Sequence, residues 1–178
     1  MEIQYEAQQQ SFSLIGELNH IRKNHALEHA TIHVLTKRHP GISFGGYSIH
    51  SGFWIIGKTD LESVKDAAEI ARARLCKGEA SLAVHPNCGT NLVMAGLCSA
   101  AVSAVAMAGA DTKEKRLDRF PMLISAGILG TYFGRPLGEK VQKYLTTDPD
   151  VSCVQISGIQ CSSLSGTPAF FVETELYS

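Results

Sequence analysis

The stretch Asn24-His25-Ala26-Leu27-Glu28-His29-Ala30-Thr31-Ile32-His33 decides how this chain is read. It lies within residues 14–38, where Leu14, Leu18, Ile21, His25, Glu28, Ile32 and Leu35 follow at alternating steps of four and three. That spacing predicts one helix with these positions on a single face. Lys37, Arg38 and His39 suit its negative C-terminal end, and Pro40-Gly41 stops it. A histidine and a glutamate interrupt the apolar stripe at positions 25 and 28. Burying a polar group without a partner costs about 2–7 kcal/mol. Those two side chains must therefore be satisfied by something.

A metal ion is the partner that this pattern calls for. His25 and His29 lie one turn apart and face the same way, as two ligands of one ion must. With Glu28 they form an HxxEH run, the inverted order of the zincin signature, in which the glutamate is the general base. Two neutral imidazoles hold the Lewis-acidic ion, and the carboxylate takes a proton from the water that the ion acidifies. Glu28 is read as that base, with a ligand role as the alternative. Zinc, or another divalent transition metal, suits the donors. His33 continues the series and is read as exposed or capping, because two histidines already fill the helix's share of a four-ligand site. His20, His39 and His50 are read as surface residues. Further ligands must come from elsewhere, and His85 and Cys88 are the best candidates, spaced H-x-x-C in the turn His85-Pro86-Asn87-Cys88-Gly89-Thr90-Asn91.

Outward from the helix, Ile42–Ile49 and Phe53–Ile56 predict a β-hairpin. Thr59-Asp60-Leu61-Glu62 is a capping box that opens a helix running to about Lys77, with Gly78 as its stop. Ser81–Val84 reads as a strand. Leu92–Ala110 is then nineteen residues without a charge, long enough to cross a bilayer at about 1.5 Å per residue. A charged loop, Asp111–Arg119, separates it from a second uncharged run, Phe120–Gly134. Gly96, Ala100, Ala104 and Ala108 form one stripe of small residues, and Gly130, Gly134 and Gly138 form another. Such stripes let membrane helices approach closely, within one chain or in a homo-oligomer. After Arg135-Pro136 a short surface or interfacial helix is expected, then two closing strands, Val151–Ile159 and Ala169–Leu176. The first dozen residues read as a loose tail.

Composition excludes other classes. The formal net charge is -1 and no basic arm or recognition helix is present, so nucleic acid is not an expected partner. No GxSxG elbow or phosphate-binding loop occurs. Five cysteines without framework spacing, and an N-terminus without the features of a signal peptide, place the soluble part in the cytoplasm. Lys113, Lys115, Arg116 and Arg119 in the hairpin loop argue for the opposite orientation.

The motifs together resemble a known pattern. His25-Ala26-Leu27-Glu28-His29-Ala30-Thr31-Ile32, the His85–Leu92 turn, Arg135-Pro136-Leu137 and Leu145-Thr146-Thr147-Asp148-Pro149-Asp150 occur in the order found in the YqhQ-type family of uncharacterised bacterial membrane proteins. The resemblance implies that His25, Glu28, His29, His85 and Cys88 occupy motif positions of a metal-dependent membrane protein, here a shorter relative of unknown function. This chain departs from that family in having a single recognisable hairpin, and in Ala30 and Asn87, where basic residues are usual. The expected architecture is α+β: an N-terminal helix, a small mixed sheet with one or two packed helices, and an apolar hairpin inserted before the last strands. Residues 1–90 and 139–178 would form the metal-binding domain and residues 91–138 the transmembrane hairpin. The expected function is a membrane-associated metal-dependent hydrolase or peptidase acting on a substrate the sequence does not name. The alternatives are a structural metal site and a metal-free scaffold.

Overall fold

The structure, a computed structural model, describes residues 2–177, with side chains from residue 15 onward. The chain divides into two compact units, one formed by Met1–Val84 with Leu145–Ser178 and the other by His85–Tyr144.

The first unit is α+β, as the sequence pattern predicts. Helix α1 (Glu2–Arg38) runs 37 residues. The segment expected as a loose tail is thus helical from Glu2. Glu, Gln and Ala are good helix formers, and no Gly or Pro interrupts them before Gly16. Strands β1 (Gly45–Ile49), β2 (Gly52–Ile56), β3 (Val154–Leu164) and β4 (Thr167–Leu176) form one sheet in the order β1-β2-β4-β3. The sheet expected to be mixed is antiparallel throughout, because its four strands come as two hairpins joined along β2 and β4. Ser165 and Gly166, both with positive φ, make the tight turn whose twist matches the β3–β4 hairpin.

Helix α1 packs on β1 and β2, and helix α2 (Leu61–Cys76) packs on β3 and β4. Period-two alternation sends Phe53 and Ile55 of β2 and Phe170 and Val172 of β4 into the core, against Leu27, Leu35, Val64 and Ala68. Burial of α1 starts at Asn24. Leu18, expected on the inward stripe, is 58 % exposed. Asp60, not Thr59, caps α2, accepting the Ser63 N–H at 2.8 Å. Ser63 completes this cap with a hydroxyl bond to Asp60, leaving no cap role for Thr59.

Ser81–Val84, expected as a strand, is instead a tight 3-10 turn over Ala80–Ala83. Two of the carbonyls that a strand would offer to a ladder, those of Ala83 and Val84, go to imidazoles of α1.

The second unit is the helical hairpin. Helices α3 (Gly89–Met107) and α5 (Phe120–Val141) are linked through the short helix α4 (Lys113–Asp118). Arg119 donates to the Ala106 and Ala108 carbonyls and Arg116 to the Ala110 carbonyl, placing cations at the negative end of α3. The glycine stripe of α5 meets α3 directly. A Cβ at Gly130 would lie 2.5 Å from Ser99 Cα, one at Gly134 2.5 Å from Ala95 Cα, and one at Gly138 2.6 Å from Asn91 Cα. That stripe is therefore occupied within the chain. By contrast, nothing among the described residues lies within 4 Å of a Cβ at Gly96 on the α3 stripe.

The break expected at Arg135-Pro136 does not occur: α5 continues through Pro136 to Val141, followed by a wide turn at Gln142–Thr146. Proline withholds one backbone bond. Gly134 and Gly138, clasped to α3 on either side of it, hold the helix across the gap. Among the described residues one helix, α3, is long and apolar enough to cross a membrane, with a mean hydropathy of 1.6 over its best window.

The glycine contacts predict a position-specific cost. Gly134→Leu is expected to destabilise the hairpin by about 1–3 kcal/mol, as overpacking does. Gly127→Ala, whose nearest atom would be the movable Ser99 Oγ at 3.3 Å, should be tolerated. Thermal melts of both variants in detergent, followed by helical circular dichroism, compare them directly.

Candidate metal centre

Helix α1 carries two polar ladders, each with a four-residue step. One, His20-Asn24-Glu28, faces the sheet. His20 Nε2 donates to Thr174 Oγ at 3.1 Å, and the Thr174 hydroxyl donates to Asn24 Oδ1 at 2.7 Å. The Asn24 amide donates to the Ile49 and His50 carbonyls. Glu28, which is buried, accepts the Ser48 hydroxyl on Oε2 at 2.6 Å. Its Oε1 lies against Gly46, where a Cβ would sit 3.0 Å from it and overlap the Trp54 carbonyl. Burial pushes the Glu28 carboxyl above its ordinary value, against the Ser48 hydrogen bond and the nearby His25, which both lower it.

The other ladder, His25-His29-His33, faces the segments at which the chain leaves and re-enters the α/β unit. His25 Nδ1 contacts the Thr146 carbonyl at 3.0 Å, His29 Nδ1 the Ala83 carbonyl at 2.7 Å, and His33 Nε2 the Val84 carbonyl at 2.9 Å. A carbonyl oxygen only accepts, so each of these nitrogens carries its proton. In a neutral ring the lone pair of His25 and of His29 is then on Nε2. Their ring centroids are 4.3 Å apart. This is how metal-ligating histidines are held: one nitrogen is fixed by a carbonyl and the other presented for ligation. The donor chemistry therefore fits a divalent metal. His33, expected to be exposed or capping, is half-buried and bonded to Val84, because Val84 passes within reach one turn beyond His29. His20, expected at the surface, is half-buried through Thr174.

The other predicted ligands, His85 and Cys88, share one turn in the hairpin unit. Cys88 is the N-cap of α3, and its Sγ accepts the Thr90 N–H at 3.4 Å. The same sulfur also contacts the Thr90 hydroxyl at 3.5 Å. His85 Nδ1 accepts the Asn87 N–H at 3.3 Å, so that nitrogen helps to close the turn. Gln142 and Asn91 hold the backbone around them. Gln142 Oε1 accepts the His85 N–H at 2.9 Å, and its Nε2 donates to the His85 carbonyl at 3.1 Å and to Asn91 Oδ1 at 2.6 Å. Asn91 Nδ2 donates to the carbonyls of His85 and Pro86 at 3.2 and 2.8 Å.

Residues 20–159, a span that holds the histidine ladder, Glu28, His85, Cys88 and Gln142, match a domain of unknown function, DUF6391. The chain belongs to the DUF6391 family. An uncharacterised protein of Picosynechococcus sp. (strain PCC 7002) is 32 % identical over 167 residues, covering 89 % of this chain and 80 % of that protein. No solved structure matches the chain.

In this DUF6391 chain, sequence spacing did not single out Ser48, Asn91 or Gln142. Two of them carried a signal. Gln142 continues the Gly130-Gly134-Gly138 stripe at the next fourth position, and Asn91 begins the facing series Asn91-Ala95-Ser99. Ser48 carried none, because its pairing with Glu28 depends on how β1 crosses α1. The Leu145–Asp150 motif has a docking role within the α/β unit. Asp148 pairs with Lys23 at 2.9 Å and donates its N–H to the Arg22 carbonyl at 3.0 Å, while Arg22 reaches the Thr147 carbonyl.

Glu28 makes stability depend on pH with a definite sign. With its pKa raised on folding, the folded state holds the proton more tightly than the unfolded chain does. Stability is therefore full below the ordinary value of 4.5 and is lost as pH rises through the raised folded value. Glu28→Gln should flatten that slope in chelator-treated protein. Urea unfolding at a series of pH values measures it, and an unchanged slope would show that Glu28 does not titrate in that window.

Proposed function

We propose that this DUF6391 chain is a membrane-anchored metal protein that binds zinc through His25, His29 and Cys88 and uses it for hydrolysis. The observation that carries the metal is the pair of imidazoles with Nδ1 fixed on the Thr146 and Ala83 carbonyls. Covalent reach supports Cys88 as the third donor. It lies four residues past Val84, whose carbonyl His33 holds, and four extended residues span at most about 14 Å. Imidazole and thiolate together suit zinc.

Three ligands leave a position for chemistry. A bound zinc ion would supply Lewis acidity and activate water near neutral pH. Glu28 precedes His29 directly, and a glutamate next to a ligating histidine also marks H-E-x-x-H enzymes. Ser48 holds Oε2, so Oε1 would take the proton, and burial keeps its proton affinity high. A second reading has its own support, since His85 lies three residues before Cys88. If His85 also binds, the site is closed and structural. In that case the Asn87 N–H must leave His85 Nδ1 or the ring must bind through Nε2.

The membrane reading is supported by what the hairpin exposes. Leu92 and Val105 of α3 are each 76 % exposed, and Ile128, Tyr132 and Phe133 of α5 are exposed as well. Contiguous apolar surface of this kind needs a covering, and lipid is one that a glycine-packed helix pair fits. We place the α/β unit on the cytoplasmic side of the cell membrane, consistent with five cysteines that lack the spacing of a disulfide framework. Kinship with the YqhQ-type family rests on the shared order of the HxxEH, H-P-x-C-G-T and Leu-Thr-Thr motifs.

Elemental analysis of the full chain purified in detergent tests the metal. One zinc per chain is expected, lost in His25→Ala and His29→Ala and weakened at least tenfold in Cys88→Ser. Wild-type protein without stoichiometric metal would refute the reading. Protease treatment of sealed inverted vesicles carrying tagged protein tests the orientation: both tags should be digested without detergent, and protected tags would place the α/β unit on the far side.

A further inference from the structure

We infer that Gln142 and Asn91 form a carboxamide clamp that positions the His85–Cys88 turn and so sets how strongly Cys88 holds a divalent metal. The inference rests on the metal reading above and assigns it two positioning residues. All of the clamp lies in the hairpin unit.

The clamp grips the turn at its first peptide groups. Gln142 takes both polar groups of His85, accepting its N–H and donating to its carbonyl. Asn91 donates to the same carbonyl and to that of Pro86. The turn then closes on itself, with the Cys88 N–H donating to the His85 carbonyl at 3.2 Å and the Asn91 N–H to the Cys88 carbonyl at 3.0 Å. Thr90 orients the sulfur from the helix side. The Cys88 backbone is thus held by two bonds, one leading through the His85 carbonyl to the Gln142 and Asn91 amides and the other coming from the Asn91 N–H.

Burial shows that this is more than a satisfied helix end. Gln142 is fully buried and Asn91 nearly so, in a hairpin where Gly130 and Gly134 meet backbone atoms of α3, at Met94, Ala95, Cys98 and Ser99. Two apolar side chains would fill the same seam without the cost of desolvating two amides. Instead the amides bond to each other at 2.6 Å and direct their remaining groups at the turn. Space has been kept for this: a Cβ at Gly138 would lie 2.5 Å from Asn91 Oδ1. Partners that orient a ligand commonly contribute about 10–100-fold to metal affinity.

The test is cobalt titration of full-length protein in detergent, reading affinity and the thiolate-to-cobalt charge-transfer band. Gln142→Leu removes every bond of the amide. Gln142→Glu keeps the shape and the acceptor for His85 but loses the donor, so a folded variant remains if the first fails. Both should bind cobalt about 10–100-fold more weakly, with a weakened or shifted charge-transfer band. Gly134→Leu loosens the same hairpin away from the turn and should leave the band intact. If wild-type protein shows the band and the Gln142 variants match it in affinity and spectrum, the clamp is overturned and the metal reading stands. If Gly134→Leu and Gln142→Leu act alike, the amide merely stabilises the hairpin and the clamp is likewise overturned. Wild-type protein that binds no cobalt at all overturns both.

Discussion

Three imidazole N–H groups on one helix face, one buried and two half-buried, must each find an acceptor. Leaving one of them unmet would cost about 1–3 kcal/mol, a large share of a domain's stability of about 5–15 kcal/mol. His25, His29 and His33 meet the requirement with the carbonyls of Thr146, Ala83 and Val84. Those residues flank the two points at which the hairpin unit joins the α/β unit in sequence. The same bonds explain why Ser81–Val84 is no strand and why the chain can re-enter at Leu145 beside α1. They also fix the tautomers that make His25 and His29 suitable ligands. One constraint on α1 thus governs the connectivity of the α/β unit and the chemistry proposed for it.

The α/β unit carries its two polar ladders on different faces of α1, with the proposed base on one and the proposed imidazole ligands on the other. Toward the sheet, the ladder of His20, Asn24 and Glu28 is closed by Thr174, Ser48 and the β1–β2 turn. Glu28 is the costly member, a carboxyl kept in the core by a serine and by a glycine that gives it room. Retaining such a group is understandable where proton transfer is its task, since burial holds its proton affinity high against the Ser48 hydroxyl and His25, which both lower it.

In the hairpin unit the division runs along the helices. From Gly130 to Gly138 the contact with α3 is steric, set by the absence of Cβ atoms. At Gln142 the same stripe becomes polar and ends on the turn that carries His85 and Cys88. The outward faces of α3 and α5 are apolar, while Arg116 and Arg119 gather at the far end of α3.

The sequence by itself determined the helix with its histidines, the first β-hairpin, two closing strands, the α2 helix and the pair of apolar segments. Each depends on local periodicity or on turn residues, and such signals are complete within a dozen residues. It also determined that His25, Glu28 and His29 would need partners, because polar residues broke an apolar stripe. Only the tertiary structure decided what those partners are. The carbonyl that His25 meets is 121 residues away, and those that His29 and His33 meet are 54 and 51 away. A backbone carbonyl has no residue identity, so no sequence pattern marks it as an acceptor. For the same reason the strand expected at Ser81–Val84 and the break expected at Pro136 were local signals overruled by distant contacts: histidine bonds in one case and close glycine packing in the other.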